Sequence, residues 1–137
     1  MLKRLYSRVV CLMLVASLFL VGCSSDNVGN GLSGNYREDT IAVIDSLRAA
    51  VDLPDDSPDK AEAQADAKEK INSYISQYRR DEKISGTQSY MSMATALNGL
   101  ASHYQAAPDR PVPEKLKKRL NLEFKQVEMA LKRESKA

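Results

Sequence analysis

Five prolines partition this chain, and none falls within the stretches where apolar residues recur at spacings of three and four. Pro54 and Pro58 stand in one gap, and Pro108, Pro111 and Pro113 in another. Proline removes a backbone donor, clashes with the preceding turn and steers the residue before it away from helical backbone, so helices end at these clusters. The intervals between them predict amphipathic helices.

The first interval carries Ile41, Ile44, Leu47, Arg48 and Val51 on one face, and Asn35 followed by Glu38 has capping-box spacing at its start. It is expected to stop near Asp52, ahead of Leu53-Pro54. Ser57-Pro58-Asp59 predicts the next entry, with Ser57 as cap, Pro58 in the first helical position and Asp59 at the positive end of the dipole. This second helix runs to about Arg80, with Ala61, Ala65, Ile71, Ile75 and Tyr78 on its stripe and most of its packing in its second half. Asp81 to Gly86 reads as a polar connector. A third helix, from about Thr87 to Gln105, presents Tyr90, Met93, Ala94, Leu97, Leu100, Ala101 and Tyr104, with Gly99 as a point of close helix approach. Pro113 and Glu114 open a fourth, whose stripe is Leu116, Leu120, Phe124, Val127 and Leu131 and whose opposite face is dense in Lys and Arg. No strand pattern interrupts the series, so the expected fold is all-α, an up-down-up-down four-helix bundle over residues 35–137.

Residues 1–22 have a different character. Lys3, Arg4 and Arg8 precede an uncharged apolar run from Val9 to Val21, the shape of an export signal. The run is shorter than the roughly 20 residues of a membrane span. It closes on Leu20-Val21-Gly22-Cys23, a bacterial lipobox pattern, which makes Cys23 the expected lipidated N-terminus of the mature chain. Two or more acyl chains hold a protein stably on a bilayer, at ~0.8 kcal/mol per buried methylene. Small and polar residues from Ser24 to Gly34 make 23–34 a flexible tether by composition.

Charge must be counted after the signal is removed. The 20 basic and 18 acidic residues then become 17 and 18, so the mature chain is not basic. The distribution is uneven: Glu38 to Glu69 holds ten acids against three bases, and Arg110 to Ala137 nine bases against four acids. Packing of one segment beside the other is the ordinary explanation, and a partner surface the alternative.

Parts for catalysis are scarce. Cys11 leaves with the signal and Cys23 takes lipid, so no thiol remains for a disulfide, a nucleophile or zinc. His103 is the sole histidine, which removes histidine pairs and a Ser-His-Asp arrangement. Asp52, Asp55, Asp56 and Asp59 crowd one turn but lack the glycine and terminal glutamate of a calcium loop, so they read as a solvated helix entrance. No cofactor is expected. Two groups suit a protein interface: Tyr78-Arg79-Arg80, and Arg110 with Glu114, Lys117 and Lys118. The basic cluster lacks nearby stacking aromatics and an exported domain meets no nucleic acid, so an acidic protein surface or anionic lipid is its expected reader, with a solvated face the default.

Asn35-Tyr36-Arg37, Asp39-Thr40, Leu47-Arg48, Asp52-Leu53-Pro54, Tyr74-Ile75-Ser76, Tyr78-Arg79-Arg80, Thr95-Ala96-Leu97-Asn98 and the block from Arg110-Pro111 through Pro113-Glu114-Lys115-Leu116-Lys117-Lys118-Arg119-Leu120 span nearly the whole mature domain. Together they resemble the photosystem II assembly and repair lipoproteins, the twenty-seventh family of the Psb series, in its lipidated cyanobacterial branch. The resemblance implies a non-enzymatic four-helix bundle on the lumenal side of the thylakoid membrane. It also implies binding to immature photosystem II at the lumenal loop of a chlorophyll-binding inner antenna subunit, before the manganese cluster and extrinsic proteins are installed. A generic envelope lipoprotein acting as a helical protein-binding module is the alternative.

Overall fold

A computed structural model of the chain describes residues 31–108 and 110–136. The expected export signal, Cys23 and the expected tether up to residue 30 lie outside the described residues.

All regular structure among the described residues is helical: α1 (Tyr36–Asp52), α2 (Lys60–Tyr78), a single turn α3 (Glu82–Ser85), α4 (Gln88–Ala106) and α5 (Glu114–Glu134). Local chemistry sets most of the ends. Asn35 caps α1, its Oδ1 accepting from the amides of Arg37 and Glu38 at 3.1 and 3.3 Å. Thr87 caps α4 by accepting from the Tyr90 amide at 3.2 Å. Pro113 sits immediately before α5 in extended backbone, where its missing N–H costs nothing.

Three expectations shift at the ends. Ser57-Pro58-Asp59 forms a turn rather than the first helical turn: the Ser57 carbonyl accepts from the Lys60 amide at 3.2 Å, and α2 begins after Asp59, which makes no side-chain cap bond. At its other end α2 stops at Tyr78, short of Arg80. The connector from Asp81 to Gly86 contains α3, because Asp81 accepts from the Lys83 amide at 3.0 Å and nucleates one turn.

The four long helices pack in a ring, α1 against α2 and α5, and α4 against α2 and α5. Val43, Ile44, Leu47, Ile71, Tyr74, Met93, Leu97, Leu100, Leu120, Phe124 and Val127 are fully enclosed between them. In α2 the buried positions are Ala67, Ile71, Tyr74 and Tyr78, whereas Ala61 and Ala65 are exposed. The packing therefore does fall in the second half of that helix. In α1 the register is rotated from the expected one: Ile41 is 38% exposed, while Thr40 and Val43 are buried. The rotation follows from Thr40, whose hydroxyl bonds the Tyr74 hydroxyl at 2.8 Å inside the core.

Arg48, the one polar member of the α1 stripe, is half-buried. Its guanidinium bridges to Glu128 of α5 at 2.7 Å and lies 5.6 Å from the centre of the Phe124 ring. Gly99 is not a point of close approach, since a Cβ there would meet nothing within 4 Å.

Candidate partner-binding surface

At one end of the domain the lead-in to α1 is fastened to the core. Asp39, one turn into α1, is 2% exposed. Its carboxylate accepts from the Ser33 amide at 2.6 Å, the Ser33 hydroxyl at 2.8 Å and the Gly34 amide at 3.0 Å, and also from the Tyr78 hydroxyl of α2. Gly34 makes the necessary reversal at φ +89, a conformation that side chains disfavour. Leu32, two residues earlier, is 6% exposed and belongs to the core. Residues 31–34 are thus seated on the helices, and the composition of small polar residues concealed this because Leu32 is a single apolar position among them.

Burial raises the Asp39 pKa, but bonds from Tyr78, Ser33 and Gly34 more than offset it, and the carboxyl sits below its ordinary value. The Tyr78 hydroxyl is pushed the other way by burial and by the carboxylate it serves. Tyr36 of α1 packs edge-on against Tyr78, ring centres 5.2 Å apart, and shares a 2.7 Å bond with Ser89 of α4. Ser89 in turn gives its amide and hydroxyl to Glu134 of α5 at 3.0 and 2.6 Å. Two hydrogen-bonded groups, Asp39 with Tyr78 and Tyr36 with Ser89 and Glu134, meet at the Tyr36–Tyr78 ring contact and together tie all four long helices at the end where the N-terminal segment arrives.

This arrangement places the first interface candidate. Tyr78 is 3% exposed, so it belongs to the core and offers no ring to a partner. Arg79 and Arg80 are exposed just past it, at the fastened end. Arg79 is near enough to Tyr90 for its charge to oppose the rise that burial imposes on that hydroxyl.

The second candidate lies at the other end. Arg110 is exposed, and its carbonyl oxygen lies 3.3 Å from His103 Nε2. Together with Asp55, Lys60 and Gln64 it lines an open cleft between the α1–α2 and α4–α5 connections. Glu114 pairs with Lys117 at 3.4 Å, which leaves Lys118 exposed one residue on. The two groups are separated by about the length of α1, ~25 Å. They do not form one compact patch.

In the acidic turn Asp55 is paired with Lys60, and among the described residues no three of His, Cys, Asp and Glu converge. Tyr104, enclosed at this end, has its hydroxyl pushed up to about 12 by burial alone. No helix among the described residues is long and apolar enough to cross a membrane.

Sequence spacing could not reveal Asp39, Ser89 or Glu134, because each is polar and meets its partner on another element. The usable signal was an acid at Asp39 on the buried side of an amphipathic helix, which demands donors.

Residues 8–131 match the family model described as Photosystem II Pbs27. The chain belongs to that family. It is 52% identical over 136 residues to the photosystem II assembly factor lipoprotein Psb27 of Thermosynechococcus vestitus, covering 99% of this chain and 100% of the relative. It is 49% identical over 132 residues to the photosystem II lipoprotein Psb27 of Synechocystis, covering 96% of each. The solution structure of Psb27 from cyanobacterial photosystem II superposes with a TM-score of 0.72 at 50% identity, over 82% of this chain and 97% of that one.

Proposed function

We propose that this protein is a lipid-anchored, non-catalytic factor for photosystem II assembly and repair, held on the lumenal side of the thylakoid membrane through Cys23. The observation that carries the reading is 52% identity along the full length of a relative named as an assembly factor lipoprotein. The lipobox ending at Cys23 agrees with the word lipoprotein in both relatives' names. An up-down-up-down bundle is the topology that fits the ring of helix contacts.

Its mechanism in this reading is occupancy. A rigid helical block covers the lumenal loop of an inner antenna subunit until the manganese cluster and extrinsic proteins are installed, then leaves. Such a contact must be reversible, and a standard interface of about 800 Å² per partner supports affinities from micromolar upward. The anchor raises the local concentration, so weak intrinsic affinity suffices. No chemistry is asked of the side chains, which fits a chain with one histidine and no thiol beyond Cys23 in its mature part.

Lysine-directed crosslinking of the anchored protein to photosystem II complexes, read by mass spectrometry, tests where contact is made. Links to the lumenal loop of the antenna subunit are expected. Arg79→Glu combined with Arg80→Glu, both exposed, should lower the yield of those links about tenfold while the variant keeps its helical spectrum, a loss of ~1.4 kcal/mol. Unchanged yield would exclude that patch and turn attention to Arg110, Glu114, Lys117 and Lys118.

A further inference from the structure

The acidic and basic segments of the chain do not neutralise one another. The ion pair that joins them, Arg48 with Glu128, sets a cation of the acidic segment against an acid of the basic one. Each acid of α5 has a partner: Glu114, exposed in the first turn, with Lys117, Glu123 with Arg119 at 2.9 Å, Glu128 with Arg48, and Glu134 with Ser89. What remains outside is a line. Lys115, Lys118, Leu122, Lys125, Met129, Lys132 and Lys136 follow at alternating spacings of three and four, all exposed, with no acid among them. From Lys115 to Lys132 this spacing keeps them on one side of the helix over ~26 Å, and Lys136 follows in the turn after α5. Among the described residues none of the five lysine ammonium groups has an ion-pair partner. Leu122 and Met129 are 62% and 55% exposed, the two most exposed large apolar side chains described.

We propose that this face of α5 is a contact surface for an anionic lipid bilayer, on which the free, anchored domain lies along its side. The composition of the line favours lipid over an acidic protein. Protein interfaces that grip carboxylates use the forked guanidinium of Arg and are depleted in Lys. The cations of the line are lysines, with one exposed arginine, Arg133, beside its last turn; their long stems lie along an apolar boundary while the ammonium groups reach the headgroups. Leu122 and Met129 stand between them, where shallow insertion would place apolar atoms. The outer face of a single helix is also convex, which suits a plane better than a peptide.

The chain's course permits this pose. Arg37 reaches the Leu131 carbonyl at 3.4 Å, so the N-terminal segment enters beside the last turns of α5. Seven residues lie between Cys23 and Gly31, and the eight backbone steps reach at most ~29 Å. That is enough slack for the domain to rest on α5. The proposal rests on the lipid-anchored reading only for what brings the domain to a membrane.

The test uses the full lipidated chain with single nitroxide labels at Leu122→Cys, Met129→Cys and, across the core on exposed α2, Ala65→Cys. Each is reconstituted on vesicles of pure phosphatidylcholine or of phosphatidylcholine with about one third phosphatidylglycerol. Collision with a water-soluble nickel chelate should fall about threefold or more at Leu122→Cys and Met129→Cys on the anionic vesicles, and return in about 1 M salt, where screening is nearly complete. Ala65→Cys should stay open to the chelate on both. Lys118→Glu with Lys125→Glu and Lys132→Glu should abolish the shielding, and the salt titration gives the same answer without any substitution. Equal accessibility on both vesicle types overturns the proposal. Shielding that arises only when photosystem II complexes are added also overturns it, and makes the line a protein contact. Retention on neutral vesicles reports the anchor by itself; a protein retained only on anionic vesicles, with both labels shielded, would remove the anchor and keep the lipid-facing line.

Discussion

Replacing Asp39 with alanine is expected to destabilise the domain by ~2 to 4 kcal/mol, because a buried hydroxyl loses a charged acceptor and two backbone amides lose theirs. Tyr78 is too enclosed for water to take over. Ser33 and Gly34 are exposed, so their amides can be hydrated once released, which keeps the loss below that of a fully buried network. Urea denaturation gives the magnitude. Amide exchange gives the mechanism: Ser33 and Gly34 should lose protection in the variant, and Leu32 should leave the core. Asp39→Asn, which keeps one acceptor, should lose less. Destabilisation without any change in exchange at Ser33 and Gly34 would mean that the lead-in is held by something else.

The same residue predicts a pH dependence. Because the folded carboxyl lies below the ordinary 3.8, the stability it contributes is fully present above that value. It is lost as pH falls through the lower folded value, where the native state must also take up the proton. Mildly acidic solution therefore leaves this fastening intact. The urea midpoint of Asp39→Asn should lack the part of the acid decline that belongs to this group.

Phe124→Ala is expected to cost more, ~3 to 5 kcal/mol, since the ring is 1% exposed in the middle of α5 and its removal opens a cavity. Arg48 would also lose the ring beneath its guanidinium, a contact of ~1 kcal/mol. Leu122→Ala is the control, on the same helix but 62% exposed, and should change stability by no more than ~0.5 kcal/mol. Equal losses for the two would contradict the orientation of α5.

The helices of this chain were legible because their signals are local. Proline clusters, caps at Asn35 and Thr87, and apolar spacing in α4 and α5 each act within a few residues, and the structure keeps them. Where local and tertiary demands differ, the reading shifted. Ile41 fits an apolar stripe by spacing, yet the Thr40–Tyr74 bond turns Thr40 inward and leaves Ile41 at the surface. Tyr78 reads as an interface aromatic beside two arginines, yet its ring packs against Tyr36 and Tyr74 and its hydroxyl donates to Asp39, thirty-nine positions earlier. The candidate surface was half visible for the same reason. A count of charges finds the basic segment, but which of its lysines lack partners depends on where Glu114, Glu123, Glu128 and Glu134 turn. That is decided by side chains on α1, α4 and α5 together.

The central claim is association with unfinished photosystem II, and one capture measurement addresses it. The tagged protein, expressed in a cyanobacterial host, is isolated from gently solubilised thylakoids, and the bound complexes are quantified for core subunits, extrinsic proteins and manganese. Photosystem II core and inner antenna subunits should be recovered with extrinsic proteins and manganese well below their share in mature complexes. Recovery of no photosystem II, or of complexes with their full manganese and extrinsic complement, would contradict it.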